Sequence, residues 1–102
     1  MNFPASNSIV FNLDGLPLHK RVIVRAMVFT ECTSGSNQNV ILTLGGTPDS
    51  VTTTTLTENT ESIIEGAILH SAQTLAITIQ FGTATETCRK MVQDITIYYE
   101  KC

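Results

Sequence analysis

One run of twelve residues, Arg21 to Cys32 (RVIVRAMVFTEC), constrains this chain more than any other stretch. Its even positions Val22, Val24, Ala26 and Val28 form an apolar stripe, and its odd positions mix Arg21 and Arg25 with Ile23, Met27 and Phe29. A period of two with apolar groups in both rows predicts a strand in the middle of a sheet. Such a strand has another layer packed on one face and partial cover on the other. The rest of the chain must supply that second layer and the flanking strands.

The flanking segments carry the same period. Ser8 to Leu13 alternates Ile9, Phe11 and Leu13 with Val10 and Asn12, and Asp14-Gly15 opens a turn that Pro17 prolongs, because proline cannot donate to a ladder. Val40 to Leu44 directs Val40, Leu42 and Leu44 inward. Val51 to Thr57 (VTTTTLT) has high β propensity but almost nothing to bury, which predicts an exposed edge; its threonines are solvated, or else glycosylated or part of a binding face. Ser62 to His70 fits helical and strand spacing alike. Gly66 would weaken a helix by roughly 1 kcal/mol, so strand is the reading. Thr74 to Phe81 points Leu75, Ile77, Ile79 and Phe81 one way. After a loop from Gly82 to Lys90, Met91 to Tyr99 directs Ile95, Ile97 and Tyr99 inward and Asp94, Thr96 and Tyr98 outward. Seven or eight short strands joined by turn-rich loops predict one all-β domain over residues 1–102, an antiparallel β-sandwich of jelly-roll or Greek-key topology.

Charge narrows the partners. Six Lys plus Arg and a net charge of −3 leave no cationic footprint for nucleic acid, and no apolar run is long enough to span a bilayer as a helix. The N-terminus lacks the basic and apolar regions of a signal peptide, which fits a cytosolic or viral chain, or a Met1 added to a mature domain.

If successive strands reverse, loops alternate between the two ends of the sandwich. Cys32 and Cys88 then share one end. A disulfide between them would close a loop of about 55 residues and stabilise the fold by about 4 kcal/mol, in an oxidising compartment. Cys102 falls at the other end as a free thiol, or as an intermolecular thiol pairing with a further segment or a neighbouring chain.

No catalytic motif is present: G-x-S-x-G, H-E-x-x-H and phosphate loops are all missing, and His19 and His70 read as surface histidines. No metal site or cofactor is expected except calcium, for which Asp14 and Asp49 are the candidates. The Cys32 end offers Glu31, Asn37, Gln38, Asn39, Glu58, Asn59, Glu86 and Arg89 as binding loops for a polar ligand such as a glycan. Tyr98 is the outward strand aromatic, with Asp94, Thr96 and Glu100 near it, and Ile23, Met27 and Phe29 form an apolar patch for a protein partner.

The run Phe11-x-Leu13-x-Gly15-Leu16-Pro17-x-His19, followed by RVIVRAMVF and the final DITIYYEKC, resembles repeated jelly-roll modules of large protist surface proteins and, more loosely, carbohydrate-binding modules. The resemblance covers most of the chain and implies an extracellular or cell-surface role in adhesion, glycan binding or filament building. The sequence departs from sugar-binding modules in having no tryptophan. The expected function is a non-enzymatic extracellular module with a structural, adhesive or carbohydrate-binding role; the alternative is a small viral or phage decoration or fibre subunit.

Overall fold

The computed structural model describes residues 8–32, 38–46, 49–57, 60–71, 74–81 and 88–100, with the backbone alone at Cys32, Gln38 and Cys88. Seven strands form it: β1 (Ser8–Asp14), β2 (Lys20–Cys32), β3 (Gln38–Leu44), β4 (Ser50–Leu56), β5 (Ser62–His70), β6 (Thr74–Phe81) and β7 (Cys88–Tyr99). They make a four-stranded sheet, β1-β6-β3-β4, and a three-stranded sheet, β5-β2-β7, with every pairing antiparallel. The protein is an antiparallel β-sandwich, and β2 lies at the centre of its sheet. Only β3 and β4 are consecutive neighbours within a sheet; every other connection passes from one sheet to the other.

The core is built by alternation. Val22, Val24, Ala26 and Val28 of β2 face Val40, Leu42 and Leu44 of β3 and Leu75, Ile77, Ile79 and Phe81 of β6, all fully or almost fully buried. β5 contributes Ile64 and Gly66 on the same inner row, which settles the helix-or-strand ambiguity at that segment. Gly66 marks a close approach of the sheets: a Cβ there would stand 3.2 Å from both Leu42 Cδ2 and Thr52 Oγ1. Gly15 holds the turn after β1 at φ +83°, a conformation that disfavours side chains.

Several expectations need correction. β7 begins at Cys88 rather than Met91, so Arg89 and Lys90 are strand residues paired with Glu31 and Thr30. A bulge follows: Met27 opposes Asp94 but Val28 opposes Val92, which leaves Gln93 as an extra residue. The bulge puts Val92 and Ile95, three positions apart, against the same core. Tyr99, expected inside, is 51% exposed because β7 is a sheet edge with β2 as its one in-sheet neighbour. β4 is an edge as expected, yet Leu56 is buried and Thr52 and Thr54 are half-buried on its inner row.

Thr30 is fully buried, and its hydroxyl has no hydrogen-bond partner among the described residues. An unpaired buried hydroxyl costs about 1 kcal/mol or more. Thr30→Val keeps the shape and removes that group, so thermal unfolding should shift upward by roughly 5 °C. A melting temperature that falls would contradict the unpaired reading.

Candidate functional site

The outer face of the three-stranded sheet gathers the side chains that the core leaves out. The odd row of β2 presents Arg21, Ile23, Arg25, Met27 and Phe29. Register on the β5 side sets Leu69 opposite Arg21, Ala67 opposite Ile23, Glu65 opposite Arg25 and Ile63 opposite Met27. On the β7 side, Tyr98 stands opposite Ile23, Thr96 opposite Arg25, Asp94 opposite Met27 and Met91 opposite Phe29. The Ile23, Met27 and Phe29 patch is half-buried, as both its neighbours shade it, and it extends to Ile63 (53% exposed) and Leu69 (64% exposed). Those two residues were missed because the segment holding them read ambiguously; alternation along a strand would have placed both outward.

The polar centre of this face is organised around Arg25. Its Nε donates to Glu65 Oε2 at 2.9 Å, and its guanidinium carbon lies 5.8 Å from the Tyr98 ring centroid, within cation–π range. The Glu65 hydrogen bond, then the Glu65 charge, raise the Arg25 pKa above its ordinary value. Glu65, Arg25 and Tyr98 thus link three strands across the face, with the guanidinium beside the Tyr98 ring.

Beside that ring lies a shallow open depression of about 390 Å³ lined by Arg21, Ile23, Tyr98, Tyr99 and Glu100. Tyr98 is 48% exposed, so much of its ring is available. Glu100 is pinned at the rim: its Oε1 accepts from the Arg21 backbone N–H at 3.1 Å, and its own N–H donates to the Arg21 carbonyl at 3.3 Å. On the other side of Arg21 a second depression, about 250 Å³, runs along Ala67, Ile68 and Leu69. An aromatic wall with a cation, an anion and an apolar floor can hold a small ligand with one flat apolar face and polar edges.

The other predicted residues are dispersed. Glu31 and Arg89 oppose one another on β2 and β7, with Arg89 Nε 3.9 Å from Glu31 Oε1. Gln38 and Asn39 belong to β3 rather than to a loop, and Asn39 Oδ1 accepts from Thr55 Oγ1 at 3.1 Å. Asn37, Glu58, Asn59, Glu86 and Cys102 lie outside the described residues. Asp14 accepts a hydrogen bond from the Thr74 hydroxyl across the β1–β6 pair, and Asp49 Oδ1 accepts from the Gly46 N–H at 2.9 Å in the turn after β3. Among the described residues, no group of three or more His, Cys, Asp or Glu side chains stands where it could share a metal ion. His19 and His70 do meet, but through backbone: the His19 N–H donates to the His70 carbonyl at 2.6 Å. His70 is no surface residue, since only 2% of it is exposed, and its Nε2 has no partner among the described residues.

Among solved structures, the fold is similar to the EclA C-terminal domain, described as a sugar-binding protein, with a TM-score of 0.73 and 13% identity over 88% of this chain and 65% of that one. At that identity the likeness is one of fold, and the chain spans just under two thirds of its neighbour's length. The sandwich is thus of a kind found in a sugar-binding domain, and nothing in the comparison is particular to protist surface proteins. No protein-family model matches the sequence, and no curated protein matches it either.

Proposed function

We propose that this sandwich, alike in fold to a sugar-binding domain, is a non-enzymatic carbohydrate-binding module whose ligand rests on Tyr98 in the depression beside Arg21 and Glu100. The observation that carries the reading is the half-exposed Tyr98 ring, steadied by Arg25 and open to a depression whose rim holds both a cation and an anion. A pyranose ring has an apolar face that stacks on an aromatic wall and hydroxyls that both donate and accept, which is what such a rim supplies. Tyr98 is on the outer face, so its removal leaves the core intact. Tyr98→Ala should weaken binding of a glycan identified on an array by at least about tenfold, or 1.4 kcal/mol, with an unchanged melting curve. Array silence at high protein concentration would remove the sugar reading.

The extracellular or cell-surface setting is part of this proposal. Cys32 stands directly opposite Cys88 in the β2–β7 register, which supports a disulfide between them. Paired residues on antiparallel strands have Cα atoms about 4.5 to 5.5 Å apart, inside the range that a disulfide spans. Such a bond persists in oxidising compartments.

A second reading rests on the other half of the same face. Ile63, Met27 and Phe29 form an apolar area suited to a protein partner or another copy of the chain, as in an adhesive or filament subunit or a viral decoration protein. Light scattering that gives the monomer mass at every concentration would exclude the self-assembling form.

A further inference from the structure

The chain has three arginines, and all three stand on the outer row of the β5-β2-β7 sheet or its β7 edge. Two are matched with an acid directly across the ladder: Arg25 with Glu65 at 2.9 Å, and Arg89 with Glu31 at 3.9 Å. Arg21 differs in its contacts. Leu69 is its neighbour on β5 and Glu100 lies beside it at the end of β7, yet no carboxylate forms an ion pair with its guanidinium among the described residues. Of the acid beside it, Glu100, one oxygen is held by backbone: Oε1 accepts from the Arg21 N–H rather than from the Arg21 side chain. Among the described residues, an exposed guanidinium is thus left without a direct ion pair at the rim of the depression that Tyr98 walls.

The second observation is how the Tyr98 ring is used. Arg25 lies over it at 5.8 Å, yet Arg25 is not among the residues lining the depression, whereas Arg21 is. The paired arginine steadies the ring and the unpaired one faces the space a ligand would fill. A guanidinium presents a planar fork of N–H donors that matches a carboxylate in two parallel hydrogen bonds, stronger than those to a neutral hydroxyl. Glu100, with one oxygen held by backbone, keeps its other oxygen to accept from hydroxyls.

We propose that Arg21 makes this a site for acidic sugars, those bearing a ring carboxylate such as uronic or sialic acids. The carboxylate sits on the Arg21 fork, the apolar face of the ring lies against Tyr98, and a hydroxyl donates to Glu100. This rests on the sugar-binding reading above and adds to it the charge of the ligand.

The test compares each acid with its own methyl ester, which keeps the shape and removes the charge. Glucuronate and N-acetylneuraminate, with their esters, are titrated into the whole chain and followed by NMR shifts. The acid form of at least one pair should bind about tenfold more tightly than its ester. Arg21→Gln should bring acid and ester to equal affinity, and Tyr98→Ala should weaken both forms alike. Equal binding of acid and ester by the native chain, or a preference that survives in Arg21→Gln, would overturn the role of Arg21 and leave the sugar site standing. No shift with any of the four ligands, alongside binding of neutral glycans on an array, overturns the acidic-sugar proposal alone. No binding to either, up to roughly 10 mM, overturns both.

Discussion

Leu42→Ala is expected to destabilise the protein by about 2 to 5 kcal/mol, a large part of the roughly 5 to 15 kcal/mol available to a domain of this size. Leu42 is fully buried, pairs with Ile79 and Thr52 on its two neighbours, and reaches across the sandwich to Gly66. Gly66→Ala should be destabilising for the opposite reason. Its new methyl would stand 3.2 Å from Leu42 Cδ2 and Thr52 Oγ1, an overpacking worth about 1 to 3 kcal/mol. The two changes touch the same space, so they should not add. In the double variant the Gly66→Ala methyl enters the cavity left by Leu42, and the combined loss should fall short of the sum by on the order of 0.5 to 3 kcal/mol. Denaturant unfolding of the four proteins measures this, and simple additivity would deny the contact.

Cys32→Ser carries the second large effect. The bond proposed between Cys32 and Cys88 closes a loop of about 55 residues across the β2–β7 register, for which the chain-entropy model gives about 4 kcal/mol and removal of native bridges about 2 to 5. Chemical denaturation of the native chain and of Cys32→Ser, with intact mass before and after reductant, reads both the bond and its weight. A native chain that gains no mass on reduction and unfolds with Cys32→Ser at the same midpoint would remove the bridge and the oxidising compartment together. Cys88→Ser should match Cys32→Ser, since either leaves the same open loop.

Much of the fold was legible because its strands alternate cleanly. Val22 to Val28, Val40 to Leu44 and Leu75 to Phe81 each announce one buried row, and those three rows make up most of the core, which Leu56, Ile64 and Val92 complete. Period-two reading failed where the backbone departs from period two. The extra Gln93 lets Val92 and Ile95 share a face, which no strict alternation allows, and it hid the start of β7 behind Arg89 and Lys90. The polar Cys88-Arg89-Lys90 segment resembles a loop in composition, but β2 is long enough to pair with it. His70 read as exposed because histidine usually is, while its place at the inward-facing end of β5 buries it.

The site was less legible than the core. Tyr98 and Glu100 could be named from their own strand, and Ile23 from the odd row of β2. That Arg21 stands among them depends on the β2–β7 register, which sets Val22 opposite Tyr99. Register of strands whose partners lie some 56 to 77 residues apart is fixed by packing and by the bulge, and neither is written in local pattern. The pairing of Arg25 with Glu65, which sets it apart from Arg21, likewise needs the β2–β5 register.

The strand at the centre of the sheet has to wait for both of its neighbours. Val24 pairs with Gly66 and with Ile97, partners roughly 40 and 70 residues further along the chain, and only β3–β4 closes as a local hairpin. Contacts of such long sequence separation place folding in the milliseconds-to-seconds range of all-β sandwiches, since chain entropy must be lost before non-local pairing returns anything. A nascent chain therefore carries the apolar Val22 to Val28 row without an in-sheet partner until β5 is made, and the last strand made, β7, is the one that completes its neighbourhood.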